Sequence, residues 1–178
     1  MGADKGLMKI HNRAIISYLL DELKPLGMEF FIVANNPSYQ AFGWPVYKDI
    51  VPDKGPVGGI YTALSIAKDE VLVLSVDSPF VSIKTIQTII EQKVKDRINV
   101  VFSDEKMYPL LAIYPFSVIE KLGFKLVKNE LKLMQFIEET GFHKIVVTLD
   151  EAEKINLNSP SDVEQTKRLL NDTNKDLR

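Results

Sequence analysis

The chain has 178 residues, with 22 lysines and arginines against 24 aspartates and glutamates, 46% hydrophobic and 26% charged residues, and no cysteine. That balance suits one soluble domain with a sizeable core, argues against a sequence-independent nucleic-acid binder, and makes a small ligand a better fit than a polyanion. Disulfides, thiolate metal sites and cysteine nucleophiles are excluded, His11 and His143 lack a spacing partner for zinc, and no apolar run reaches the length of a membrane span.

Residues 1–7 read as a loop. Over residues 12–23, Ile15, Ile16, Leu19, Leu20 and Leu23 follow helical spacing, and Pro25 with Gly27 ends the run. Residues 30–34 form a compact apolar strand that stops at Asn35-Asn36-Pro37-Ser38, and residues 45–47 read as a short strand. The stretch from Asp49 to Gly59 then packs three glycines and two prolines together, which implies a fixed backbone that closely approaches something. Ile60, Ala63, Leu64 and Ala67 continue as a helix stripe. Its amino end, beside Gly55, Gly58 and Gly59, either favours an anion or closes a plain tight turn.

Val71-Leu72-Val73-Leu74-Ser75-Val76 reads as a strand buried on both faces, hence central and parallel, and is halted by Asp77-Ser78-Pro79. Ligands of open parallel sheets lie outside the carboxyl ends of the strands, which makes Asp77 the leading functional carboxylate. The same aspartate also suits the cap of the turn into the next helix, and the stretch alone leaves both readings open. Ser82 caps a helix with Ile83, Ile86, Ile89, Ile90 and Val94 on one side. Residues 98–102 and 110–114 read as an antiparallel strand pair turned at 103–106. Helices follow at 116–122 and 130–139, broken by Gly123 and Gly141, then a strand at 144–148 and a last helix at 161–170 capped by Ser159 or Ser161. The polar tail from about residue 171 is expected to fray.

This alternation indicates one α/β domain over residues 1–178, a three-layer α/β/α arrangement with a mostly parallel sheet. Asn35, Asp49 and Asp77 would gather along one rim of it. No charged start followed by an apolar core suggests a leader, so the cytoplasm is the expected compartment.

Taken together, Met1-Gly2, Asp4-Lys5-Gly6-Leu7, Asp49 with Gly55-Pro56-Val57-Gly58-Gly59, Asp77-Ser78-Pro79, Tyr108-Pro109-Leu110 and Asn156-Leu157-Asn158-Ser159-Pro160 resemble the molybdenum cofactor guanylyltransferase family, in order and spacing over nearly the whole chain. The resemblance implies a Rossmann-like nucleotidyltransferase fold of the nucleotide-diphospho-sugar type. It also implies a reaction in which GTP and molybdopterin-bound molybdenum give the guanine dinucleotide cofactor and pyrophosphate, with Mg2+. Molybdenum insertion proteins and molybdoenzyme chaperones are the partners it implies.

The resemblance carries residue roles with it. Lys5 would lie on the phosphates and Asp77 would hold Mg2+, these two being the catalytic pair. Asp49 would contact the nucleotide, either at the guanine N1 and N2 hydrogens or at a ribose hydroxyl. Asn35, Gly55, Gly58, Gly59, Asn156 and Asn158 would complete the binding set, although Asn158 is also a good helix-entry residue. Asp53 and Lys54 are expected to be solvated. One departure is Asn36, where the family often has arginine. Another is the start: the family opens with a strand and a loop of the form Leu-Ala-Gly-Gly, here missing, so the expectation is a start set downstream or a fragment, testable by intact mass of the native protein.

Related readings keep the fold and change the substrates: CTP with molybdopterin, or GTP with a cobinamide phosphate or a sugar phosphate. A reading of another class is a non-catalytic protein that binds a cofactor intermediate or a partner.

Overall fold

The computed structural model describes residues 4–157 together with Asp162 and Thr166, and the chain divides into two units. One unit combines Met1–Met28, Ser75–Thr85 and Leu149–Arg178; the other combines Glu29–Leu74 and Ile86–Thr148. The helix expected over 161–170, Asn158 and the tail fall largely outside the described residues.

In the first unit a 3-10 turn at Lys5–Leu7 leads into a two-residue hairpin, β1 (Lys9–Ile10) against β2 (Arg13–Ala14). His11 and Asn12 turn it with φ of 49° and 62°. Two consecutive left-handed residues match the twist of a tight hairpin, and asparagine is among the few side chains that tolerate that region. Helix α1 (Ile15–Leu23) therefore starts three residues later than the apolar spacing suggested, because Arg13 and Ala14 are taken by the hairpin. Its buried face is the expected one, Ile15, Ile16, Leu19, Leu20 and Leu23. A local cluster joins Ile10, Ile15 and Leu157 with Tyr18 and Phe80, whose rings meet edge to face at 5.3 Å.

The second unit begins with β3 (Ile32–Val33), parallel to β4 (Val46–Tyr47) across a 3-10 stretch, Pro37–Phe42. Helix α2 (Gly55–Ala67) packs on β3 and on β5 (Val71–Leu74). Helix α3 (Ile83–Gln92) starts in the first unit and runs into the second. There follow β6 (Ile98–Ser103), β7 (Lys106–Tyr114), α4 (Ile119–Val127), α5 (Leu133–Thr140) and β8 (Phe142–Val146). Strand order is β5-β7-β6-β8. The core between this sheet and its helices includes Val57, Leu64, Val100, Tyr114, Leu122 and Ile137, each 0% exposed. Burying side chains of this size contributes about 1.5–3 kcal/mol each.

The α/β class stands, but the sheet is mixed rather than mostly parallel. Among the described strands only β3–β4 and β6–β8 pair in parallel. Asp104 and Glu105, with φ of 48° and 60°, reverse the chain so tightly that β7 returns antiparallel along β6. Strand β5 then pairs antiparallel with β7 and lies at one edge of this sheet, not at a centre of parallel strands. Pro109 sits in β7 where the β6 register shifts between Val100 and Val101, a place where a missing N–H is tolerated. The buried Tyr114 hydroxyl donates to the Pro109 carbonyl at 2.7 Å, and burial pushes its phenol well above the usual range.

Other boundaries differ for identifiable reasons. Gly123 lies inside α4 rather than breaking it, and a Cβ there would make only an ordinary contact, 3.6 Å from the Tyr61 ring. Val94 lies beyond α3 and is 40% exposed, outside the buried stripe that Ile86 and Ile89 supply. Among the described residues no helix is long and apolar enough to cross a membrane.

Candidate nucleotide site

Where the chain leaves β5, Ser75 organises a turn. Its hydroxyl accepts from the Asp77 amide at 3.1 Å and its carbonyl accepts from the Ser78 amide at 3.1 Å. The turn cap is therefore Ser75, and the Asp77 side chain is not spent on its own backbone. Among the described residues its carboxylate has one partner, the Lys5 ammonium at 3.3 Å. Both side chains are partly open, 40% exposed for Lys5 and 33% for Asp77, so the pair is accessible to a ligand. On the other side, the Leu157 amide donates to the Asp77 carbonyl at 2.8 Å. That bond brings the segment bearing the exposed Asn156 to Asp77. Thus Lys5, Asp77 and Asn156 belong to one neighbourhood of the first unit, while Asn158 lies outside the described residues.

Below this turn, a carboxylate that the sequence reading passed over holds the start of α3. Glu153 is 5% exposed. Its Oε1 accepts from the Ser82 amide (2.9 Å), the Ser82 hydroxyl (2.7 Å) and the Thr85 hydroxyl (2.6 Å). Its Oε2 accepts from the Asp150 amide at 3.0 Å, and Asp150 Oδ1 accepts in return from the Glu153 amide at 2.8 Å. Desolvation pushes this carboxyl up, but the donors from Thr85, Ser82 and Asp150 outweigh it and hold the group below the ordinary glutamate value. Ser82 also caps α3 as expected, accepting from the Thr85 amide, while Glu22 accepts from the Ile83 amide at 2.9 Å. The Asp-x-x-Glu spacing of a reciprocal cap was the visible signal for the Asp150–Glu153 part. Nothing local announced its reach to Ser82.

The second unit brings together another predicted pair. Asn35 Nδ2 donates to Asp49 Oδ2 at 3.0 Å, and the Asp49 amide donates to Asn35 Oδ1 at 3.1 Å. The next amide, Ile50, donates to the buried Thr62 hydroxyl on α2 at 3.0 Å, which pins the segment to the helix. Asp49 Oδ1 is buried and has no hydrogen-bond partner among the described residues. A buried carboxylate oxygen without a donor is costly unless a ligand supplies one. Asn36, by contrast, turns inward to its own chain and accepts from the Ser38 amide at 3.0 Å.

The glycine-rich stretch is not a loop throughout. Helix α2 starts at Gly55, so Gly55, Pro56, Gly58 and Gly59 form its first turns, with Gly55 at φ 54°. A Cβ on Gly58 would fall 2.8 Å from Lys54 Cβ and 3.2 Å from the Val51 carbonyl, so the preceding turn closes on the helix only because that side chain is missing. Lys54 is not simply solvated: its ammonium donates to Asn129 at 2.9 Å.

No group of three or more His, Cys, Asp or Glu side chains converges among the described residues. That excludes an all-protein cage there, yet it fits Mg2+, a hard cation commonly held by one or two carboxylates plus phosphates and water. Asp77, an open carboxylate beside a cation, is of the type that could serve as such a donor.

The profile of the family described as MobA-like NTP transferase domain matches residues 1–145. The chain belongs to the MobA-like NTP transferase family. A Haemophilus influenzae relative named molybdenum cofactor guanylyltransferase is 30% identical over 171 residues, covering 93% of this chain and 89% of the relative. The crystal structure of molybdopterin-guanine dinucleotide biosynthesis protein A from Archaeoglobus fulgidus superposes with a TM-score of 0.79 at 18% identity, over 94% of this chain and 91% of that one. A 2-C-methyl-D-erythritol 4-phosphate cytidylyltransferase from Thermus thermophilus shares the fold at a TM-score of 0.70 and 15% identity, over 94% of each chain. A MobA-like enzyme is a nucleotidyltransferase, and this chain is one.

Proposed function

We infer that this protein transfers GMP from GTP to the molybdopterin form of the molybdenum cofactor, giving the guanine dinucleotide cofactor and pyrophosphate. The observation that carries the reading is the Lys5–Asp77 pair, a cation and a carboxylate from distant parts of the chain that meet where both are accessible. A terminal phosphate oxygen of the acceptor attacks the α-phosphorus of GTP, the bond to the bridging oxygen breaks, and pyrophosphate departs. Such a transfer asks for positioning and charge and for little covalent help.

Lys5 lies against the phosphates and offsets the charge that grows on the departing pyrophosphate. Asp77 supplies a carboxylate oxygen to Mg2+, whose charge neutralises that of the triphosphate. Asp49 accepts from the guanine N1 and N2 hydrogens through its buried Oδ1, which favours guanine because adenine offers no such donor pair. Asn35 orients that carboxylate by holding Oδ2. Gly55, Gly58 and Gly59 let the nucleotide approach the amino end of α2, and Asn156 and Asn158 border the acceptor. Molybdenum insertion proteins and molybdoenzyme chaperones in the cytoplasm would take the product.

Calorimetry with GTP and Mg2+, followed by pyrophosphate release with molybdopterin-bound molybdenum, tests the reading. The expected result is GTP binding in preference to CTP and ATP, and release that depends on both substrates. No GTP binding, by this chain or by a version extended upstream, would overturn it and direct attention to a binding role.

A further inference from the structure

Two stretches of the first unit run alongside each other and are joined at two points. The Leu157 amide meets the Asp77 carbonyl at 2.8 Å, and Glu153 meets Ser82 and Thr85 through three bonds of 2.6–2.9 Å. Between the joints, residues 78–81 are held by the Ser78 amide on Ser75, the Phe80 ring on Tyr18 and the buried Val81. The two Glu153 oxygens have separate tasks. Oε2 closes the local turn with Asp150, whereas Oε1 serves only the distant Ser82 and Thr85. A buried carboxylate that accepts four hydrogen bonds, three of them on Oε1, has little freedom, so the joint it makes is stiff.

We propose that Glu153 is a positioning residue for guanylyl transfer: it fastens residues 150–157 to the start of α3 and so fixes the Asp77 carboxylate relative to Asn156. This rests on the reading of Asp77 as the metal-holding carboxylate. The physical reason is that a ligand group works only when its support is held, and loss of such support weakens metal binding or activity without touching the metal. Glu153 stands buried at the far joint, its oxygens taken up by Ser82, Thr85 and Asp150. Its effect reaches Asp77 through the backbone that runs from residue 153 to Leu157 and through the Leu157–Asp77 bond.

The test compares Thr85→Val, which removes one donor while keeping the side-chain shape, with Glu153→Gln, Asp77→Asn and, as a control, Glu22→Ala. Glu22 holds the Ile83 amide at the same helix start but makes no bond to 150–157. Two quantities are read at a temperature where every variant is folded: hydrogen exchange of the Leu157 amide in metal-free protein, and Mn2+ affinity in the presence of GTP by electron paramagnetic resonance. Thr85→Val and Glu153→Gln are expected to speed Leu157 exchange and weaken Mn2+ binding about 10- to 100-fold, with Glu153→Gln the larger. Glu22→Ala should lower the thermal midpoint and leave both readouts at the wild-type value. Unchanged Leu157 exchange, or unchanged Mn2+ affinity, in both clamp variants overturns the proposal. Wild-type Mn2+ affinity in Asp77→Asn overturns instead the metal reading on which it stands, and the two failures are distinguishable.

Discussion

Lys5 and Asp77, 72 positions apart in the chain, face each other at 3.3 Å. Both are partly exposed, so the pair contributes little to stability, about 0–1 kcal/mol. Asp77→Ala should therefore melt near the wild type while GMP transfer falls more than about 100-fold, as the role proposed for Asp77 as a direct ligand requires. Lys5→Ala should lower turnover by roughly 100-fold through loss of charge stabilisation. Pyrophosphate release and thermal melts, run side by side, check both. Normal turnover in Asp77→Ala, or a Lys5→Ala change confined to stability, would remove these roles.

Asp49→Asn places an amide where one oxygen must serve Asn35 and the other awaits a donor. Whichever way the amide turns, an NH2 group meets a donor. GTP affinity should drop about 10- to 100-fold while ATP affinity stays as it was, the size expected for a lost hydrogen bond to a charged group. Competition binding measures this. Equal losses for every nucleotide would move the contact to the ribose.

Gly58 and Gly59 are adjacent in α2 yet should respond oppositely to alanine. At Gly58 the new Cβ meets Lys54 Cβ and a backbone carbonyl, neither of which yields without moving the preceding turn. The expected change is a loss of about 1–3 kcal/mol, larger than the helix-propensity gain. At Gly59 a Cβ has nothing within 4 Å, and alanine should stabilise by up to about 1 kcal/mol. Chemical denaturation separates the two, and GTP binding by the Gly59→Ala protein shows how close the nucleotide comes.

The Glu153 carboxyl is held below its ordinary value although it is buried, since the donors from Thr85, Ser82 and Asp150 outweigh desolvation. The unfolded chain therefore binds the proton more readily, and stability contributed by this group is complete above the unfolded value of about 4.3 and lost as pH falls through the lower folded value. Glu153→Gln should lose about 2–4 kcal/mol near neutrality and narrow its gap to the wild type in acid. Melts between about pH 3 and pH 6 follow that gap. A gap that does not vary with pH would mean that the carboxylate charge is irrelevant.

What the sequence disclosed and what it concealed divide along physical lines. The β6–β7 pair was legible because two apolar runs flank a four-residue polar turn, and the buried face of α1 because its spacing is strictly helical. Asp77 stood out as the polar stop after an apolar strand. The β1–β2 hairpin was not legible, since two-residue strands have no periodicity and His11-Asn12 is a weak turn signal. The start of α2 was misplaced because Gly55, Pro56 and Gly59 are poor helix formers whose place there is set by the packing of Gly58 on Val51 and Lys54. Strand β5 looked central because its composition is that of a strand covered on both faces, but pairing partners are not written in composition. The reach of Glu153 to Thr85 and Ser82 was hidden for the same reason: those two partners lie 68 and 71 positions away.

The first unit is drawn from three separated stretches, and its last stretch begins at Leu149. During synthesis, Lys5 and Asp77 emerge long before Glu153 and Leu157 exist. At roughly 5–20 residues per second, the ribosome takes about 4–15 s to pass from Asp77 to Glu153. Through that interval the Asp77 turn has its serine cap and its lysine but no anchor for the helix that follows. The nascent chain thus holds the Lys5–Asp77 pair early and gains the Glu153 and Leu157 contacts last, so the surroundings of Asp77 are completed late in synthesis.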